Sequence, residues 1–193
     1  MRICFLGDSF VNGTNDPHCL GWVGRVVAHA RADGCDLTCY NLGIRRDTSV
    51  NVAARWQTET ALRLPQDVDG RLVFSFGVND CCDEDGRRRV PLGTTLETAH
   101  RMLTEVRHPT LMVGPPPIAE AAINARIGEL SAALAALCGE LHVPYLETFT
   151  PLAANPVWMT EIAATDGAHP GAAGYGVLAE LVQDWAAWHE WVG

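Results

Sequence analysis

Short apolar runs alternate with amphipathic helical stretches along the whole chain, and this alternation restricts the fold more than any other feature. Ile3–Leu6 is apolar and stops at Gly7, and Leu37–Leu42 stops at Gly43. Leu72–Phe76 stops at Gly77, Thr110–Val113 at Gly114, and Val143–Leu146 is a fifth run. Runs of this length bounded by glycine read as buried strands. Between them lie helical patterns. Trp22, Val23, Val26, Val27 and Ala30 share one face, and Gly34 closes that helix. Asp47, Thr48 and Ser49 offer caps for a helix towards Leu64, which Pro65 stops. A helix is expected over Thr94–Val106. Ile123, Ile127, Leu130, Leu134, Leu137 and Leu141 are spaced 4, 3, 4, 3 and 4 apart, an amphipathic helix. Thr150–Thr165 reads as irregular or partly helical. One last helix is expected to carry Tyr175, Leu178, Leu181, Val182, Trp185 and Trp188 on a single stripe.

Strands buried on both faces and separated by helices make a three-layer α/β domain with a doubly wound, mostly parallel, five-stranded sheet. At 193 residues the chain suits one domain spanning 1–193, since domains run to about 150 residues. In such a sheet the ligand site lies beyond the carboxyl ends of the strands. Residues that do chemistry should therefore follow strands directly.

Composition narrows the function. Apolar residues are 48% and charged residues 19%, which opposes disorder. A net charge of −9 disfavours binding to nucleic acid or to an anionic membrane. No stretch approaches the ~20 uninterrupted apolar residues of a membrane span. The N-terminus reaches Asp8 before a signal-peptide apolar region could form, so a cytoplasmic location is expected. Seven cysteines, an odd number without a C-x-x-C, argue against a zinc site, and no metal or cofactor is expected.

Ser9 falls just past the first strand. A serine hydroxyl is a weak nucleophile that needs a base, an acid to orient the base, and an oxyanion site. Asp166 and His169 are three residues apart, close enough for the carboxylate to hold one ring nitrogen while the other faces a serine. Asn79 follows the third strand with a side-chain amide, and Gly43 ends the second with an unobstructed main-chain N–H. Both suit an oxyanion.

Four blocks occur in order: Gly7-Asp8-Ser9-Phe10, Asn41-Leu42-Gly43, Gly77-Val78-Asn79-Asp80 and Asp166-Gly167-Ala168-His169-Pro170. In these blocks, and in the Gly114-Pro115-Pro116-Pro117 turn, the chain resembles the SGNH hydrolases, or GDSL esterases and lipases, over nearly its whole length. The resemblance implies an SGNH-hydrolase-like fold of flavodoxin-like architecture. It implies Ser9 as nucleophile, His169 as general base and then acid, and Asp166 as the residue orienting His169. The oxyanion hole it implies comprises the Ser9 and Gly43 N–H groups and the Asn79 amide. Phe10 stands where the short motif has leucine, at a position that packs. The five residues around the serine, Gly7-Asp8-Ser9-Phe10-Val11, are not the G-x-S-x-G elbow of the larger α/β-hydrolases.

The expected activity is hydrolysis of a small-molecule ester or thioester, with a short acyl group because no inserted segment forms a lid. An acyltransferase using the same residues is the alternative, as is a non-catalytic small-molecule-binding domain. A phosphate-binding loop is opposed by five residues between Gly7 and Gly13, and by Thr14 where that motif has lysine.

Other residues have plainer readings. Asp166 could only cap a helix, Asn79 only shape a turn, and Gly43 only reverse the chain. Asp8 is expected to bond main-chain N–H groups, and Asp80 to be structural or exposed. Arg45-Arg46 and Arg87-Arg88-Arg89 read as solvated, within a solvated loop over Asp80–Arg89, although the first pair could meet an anionic substrate. Trp158 and Met159 suit either an acyl pocket or the core. Cys81 and Cys82 read as structural thiols, and His18 as loop surface.

Overall fold

A computed structural model describes residues 1–193. The chain opens with β1 (Arg2–Gly7), α1 (Ser9–Asn12), α2 (Gly21–Ala32), β2 (Thr38–Gly43) and α3 (Ser49–Ala61). There follow β3 (Gly70–Ser75), α4 (Val78–Cys81), β4 (Asp83–Glu84), β5 (Arg87–Arg88) and α5 (Leu92–Glu105). Next come β6 (Thr110–Val113), α6 (Ala121–Glu140) and β7 (Tyr145–Leu146). Four helices close the chain: α7 (Phe149–Ala153), α8 (Pro156–Ala164), α9 (Ala172–Gln183) and α10 (Ala186–Val192).

Five strands form one sheet in the order β2-β1-β3-β6-β7, and every pairing is parallel. β1 lies inside the sheet, and its buried Ile3-Cys4-Phe5-Leu6 explains the uninterrupted apolar run. α2 packs on α9, while α3 packs on α5 and α5 on α6, which gives a helical layer on each face. The chain moves from β1 outward to β2 and then returns across β1 to β3. The winding therefore reverses between β1 and β3, the place where sheets of this kind hold ligands. Gly7 pairs with Gly43 on one side and Ser75 on the other, so three strands end level. The residues that follow them share one rim.

Local chemistry accounts for several boundaries. Thr48 caps α3 through Asn51 N–H, and Asn51 Oδ1 accepts from Thr48 N–H, a reciprocal box. Asn155 caps α8 with Pro156 in its first turn, so the region expected to be irregular or partly helical holds two short helices. α6 is long and apolar enough to cross a membrane by length and composition. Its stripe of Ile123, Ile127, Leu130, Leu134 and Cys138 is nevertheless buried in the core.

Three expectations are corrected. The last helix is two helices, because the backbone is extended at Trp185 (φ −80°, ψ 123°). That break lets Trp188 turn inward against Phe5, with ring centroids 6.1 Å apart. The fifth strand covers only Tyr145–Leu146, since Pro144 has no N–H to lengthen the ladder. The Asp80–Arg89 stretch is exposed over Asp83–Arg87, as expected, but it is not an irregular loop. Asp83–Glu84 pairs antiparallel with Arg87–Arg88 around Asp85 (φ 53°) and Gly86 (φ 75°), a tight hairpin.

Candidate active site

α1 starts at Ser9 directly after β1, which places this side chain on the rim. Asp8 caps the turn by accepting from Phe10 N–H at 2.9 Å. Phe10 is buried between His169 and Trp158, with centroids 4.9 and 6.3 Å away, so the departure from leucine is one of packing. Trp158 is fully buried and donates Nε1–H to Pro117 O, which makes it core.

The turn before α9 brings the C-terminal block to the same place. His169 Nε2 lies 2.6 Å from Ser9 Oγ, and His169 Nδ1 lies 2.7 Å from Asp166 Oδ2. Asp166 Oδ1 also accepts from the N–H groups of Ala168 and His169, so the acid shapes the turn as well as meeting the ring. Burial pushes the Asp166 carboxyl up, but these hydrogen bonds outweigh it and hold it down at about 2. An ionised carboxylate only accepts. Nδ1 therefore carries the proton of a neutral ring, and Nε2 is left to accept from the Ser9 hydroxyl. α9 is capped at Gly171, so Asp166 is not its cap.

Asn79 reaches the cleft from α4. Its Nδ2 donates to Asp47 O at 3.0 Å and, more weakly, to Asp8 Oδ2 at 3.3 Å. Arg89 Nη1 donates to Asn79 Oδ1 at 3.4 Å, which sets which way the amide points.

Gly43 is not brought to this cleft. Its N–H donates to Asn41 Oδ1 at 3.0 Å. A Cβ there would sit 2.2 Å from Asn12 N and 2.8 Å from Asp8 O, so glycine is required for close packing of β2 on α1. The expectation of an oxyanion donor at Gly43 is corrected accordingly. Three residues on, Arg46 lines the cleft with φ 73°, a left-handed backbone uncommon outside glycine. Its N–H meets no acceptor in the protein. Arg55 braces this loop, donating to Asp47 Oδ2 at 2.8 Å and to Gly7 O at 2.9 Å.

The cleft holds about 260 Å³. Arg45, Arg46, Asn79, Cys82, Asp83 and Arg89 wall it around Ser9 and His169, and Cys82 is its one apolar residue. The charge run had hidden Arg89, whose side chain is only 16% exposed. The Asp85-Gly86 pair was the sign of a hairpin that turns this arginine back towards the site. Burial pushes the Cys81 thiol up to about 12 and raises that of Cys82, which suits structural thiols. His18 lies exposed on the first loop.

Asp80 is fully buried, a correction to any reading of it as exposed. It accepts from Ser49 N–H and Oγ–H and from Thr95 Oγ1–H, pinning α3 and α5 beneath the site. Asp8 is also buried. Burial pushes its carboxyl up to about 7; the Phe10 N–H bond opposes this and nearby Asp80 adds to it. An unfolded aspartate loses its proton near pH ~4, so between about pH 4 and 7 only the folded chain holds that proton. Stability falls as pH rises through this window and levels above it. Asp8→Asn should flatten the slope, since it cannot titrate and still accepts from Phe10. Urea unfolding should show the wild type losing up to roughly 4 kcal/mol against the variant over this range. Parallel curves would mean that Asp8 is not buried as the neutral acid.

With this geometry in view, comparison with known proteins is decisive. Residues 5–177 match the model of the GDSL-like lipase/acylhydrolase family. The chain belongs to that family. Its members' chemistry makes this protein an esterase, and the five-stranded sheet flanked by helices is the fold of its structural neighbours. A lipase/acylhydrolase from Enterococcus faecalis superposes with a TM-score of 0.77 at 23% identity, over 94% of this chain and 92% of that one. An acetylxylan esterase from Geobacillus stearothermophilus gives 0.76 at 19% identity, over 93% and 91%. LAE5, an α/β hydrolase enzyme from the metagenome of Lake Arreo, Spain, gives 0.75 at 20% identity, over 97% and 94%. At these identities the likeness is one of fold. Among curated proteins, none matches the chain.

Proposed function

We propose that residues 1–193 of this esterase fold as one catalytic domain, which cleaves short-chain esters or thioesters through an acyl-enzyme on Ser9. The continuous contact Ser9 Oγ, His169 Nε2, His169 Nδ1, Asp166 Oδ2 at the rim of β1 carries this reading. His169 takes the hydroxyl proton as Ser9 Oγ bonds to the acyl carbon. The ring then returns that proton to the departing alcohol or thiol. Water, deprotonated by the same nitrogen, attacks the acyl carbon; the acyl-serine bond breaks, His169 returns the proton to Ser9 Oγ, and the acid is released. Asp166 keeps Nδ1 protonated and stabilises the imidazolium that forms at each step.

The developing oxyanion is held by the Ser9 N–H, the first unpaired donor of α1, together with the Asn79 amide and the Arg46 N–H in place of that of Gly43. Asn79 binds Asp47 O, which places its amide beside this loop. Releasing the 3.3 Å contact to Asp8 frees an Nδ2 hydrogen for the substrate. A polar wall with one apolar member suits an acetyl-sized group better than a long alkyl chain. Seven free thiols, three of them buried, suit a reducing cytoplasm.

A p-nitrophenyl ester series from acetyl to long acyl tests this. Turnover should be best at the shortest chains, and a fluorophosphonate should label Ser9. An optimum at long acyl chains would overturn the short-chain assignment, and labelling elsewhere would overturn the nucleophile.

A further inference from the structure

We infer that the ester taken by this cleft carries a negative charge beside the scissile bond, a carboxylate, sulfate or phosphate group read by Arg45, Arg46 and Arg89. The inference rests on the hydrolase reading above and extends it to the class of substrate.

The chain as a whole is strongly acidic, at −9, yet its cleft is not. Three arginines line it against one carboxylate, Asp83, apart from the Asp166 that holds His169. Asp83 is already engaged by Arg126 at 2.6 Å. Cations in an otherwise anionic protein are thus gathered around the candidate nucleophile and left incompletely neutralised.

Arg89 is the strongest case. Its Nη1 donates to Arg46 O at 3.2 Å and to Asn79 Oδ1 at 3.4 Å. Its Nε is buried without a hydrogen-bond partner. The closest carboxylate, exposed Glu84, is 3.8 Å away, beyond hydrogen-bond length. Buried guanidinium groups ordinarily spend their donors on carboxylates or carbonyls. Its Nη2 makes no hydrogen bond in the protein, and this end of the guanidinium, beside Asn79 in the cleft, is where an anionic group on a bound ester would meet it.

Arg45 complements it from the side of Asp166. It is 62% exposed and only loosely paired, 3.8 Å from Asp166, so it can turn to a ligand. Arg45 also borders an adjoining hollow that gives a polar substrate room to extend, walled by Asn12, Thr14, Asn15 and Asp16, whose carboxylate is paired with Arg25. Each space offers an alkyl chain a single apolar residue, Cys82 in one and Cys19 in the other.

The charge could sit on the acyl side, as in the half-ester of a dicarboxylic acid, or on the alcohol side, as in an acidic sugar. Matched aryl esters separate the two. The p-nitrophenyl half-ester of glutaric acid is compared with p-nitrophenyl butyrate, and 3-carboxy-4-nitrophenyl acetate with p-nitrophenyl acetate. One anionic ester should exceed its neutral counterpart at least about tenfold in kcat/KM, and the winning pair identifies the side. Half-molar salt should shrink that ratio, because part of the site is exposed. Arg45→Glu, at an exposed position that does not threaten folding, should cut the ratio about tenfold or reverse it, and Arg89→Gln should move it the same way. Neutral esters cleaved as well as both anionic ones, or a ratio unmoved by both variants, would overturn the inference and leave the hydrolase reading standing. If no ester is turned over and Ser9 resists a fluorophosphonate, the hydrolase reading fails and this inference falls with it.

Discussion

Ser9→Ala should abolish ester hydrolysis while leaving the protein folded. The hydroxyl is the only atom in the cleft that can form the acyl bond under the proposed mechanism, so kcat/KM on p-nitrophenyl acetate should fall about four orders of magnitude. His169 keeps its bond to Asp166 in the variant, and Asp166 keeps two main-chain donors. Removing one hydroxyl from a contact with a ring nitrogen costs about 1 kcal/mol, so the thermal midpoint should hardly move. A variant retaining a tenth of wild-type activity would exclude Ser9 as nucleophile. A combined Ser9→Ala, His169→Ala protein should be no slower than either single variant, because the two groups act in one step.

Gly7→Ala should have the largest effect on stability. A Cβ at Gly7 would lie 1.8 Å from Ser75 O, 2.9 Å from Ser75 C and 2.6 Å from Val11 Cγ2. Two of these atoms are main chain in the neighbouring strand. β1 cannot slide away, since its other edge is paired with β2 at Gly43. Overpacking against side chains costs about 1–3 kcal/mol, and here the obstacle is backbone, so about 4 kcal/mol or more is expected. In a chain of this length each kcal/mol moves the midpoint by about 2–4 °C. A fall of about 10 °C, or failure to fold, should appear in thermal melts. Gly93→Ala is the control. It lies in α5 with nothing within 4 Å of its Cβ, and should be neutral or slightly stabilising. Equal effects of the two substitutions would mean that the sheet does not close on Gly7 as described.

The glycine beside the nucleophile was legible because an apolar run closing in glycine at the end of a strand has few other meanings. The same holds for α6, whose spacing is helical over five turns' worth of contacts, and for Asp166 and His169, which one turn of chain suffices to join. Gly43 shows where such reasoning stops. A glycine after a strand can bare its N–H to a ligand or admit a neighbouring backbone, and the residue type is identical in both cases. Only the approach of Asn12 and Asp8 distinguishes them. Arg89 escaped for a related reason. A run of arginines beside acidic residues has the composition of a solvated surface, and its direction depends on a hairpin two residues across. Arg46 stood out only for its charge, and its main-chain role carried no mark, because a left-handed backbone at a non-glycine residue is visible only in φ.

Ser9 and His169 meet across 160 residues of chain. Every other element must be in place, or nearly so, before that contact forms, and closing so long a loop is entropically late rather than early. During synthesis the nucleophile emerges 160 residues ahead of its base. A nascent chain therefore stays chemically inert until most of the sheet has already been made, and recovered esterase activity reports completion of folding rather than its onset.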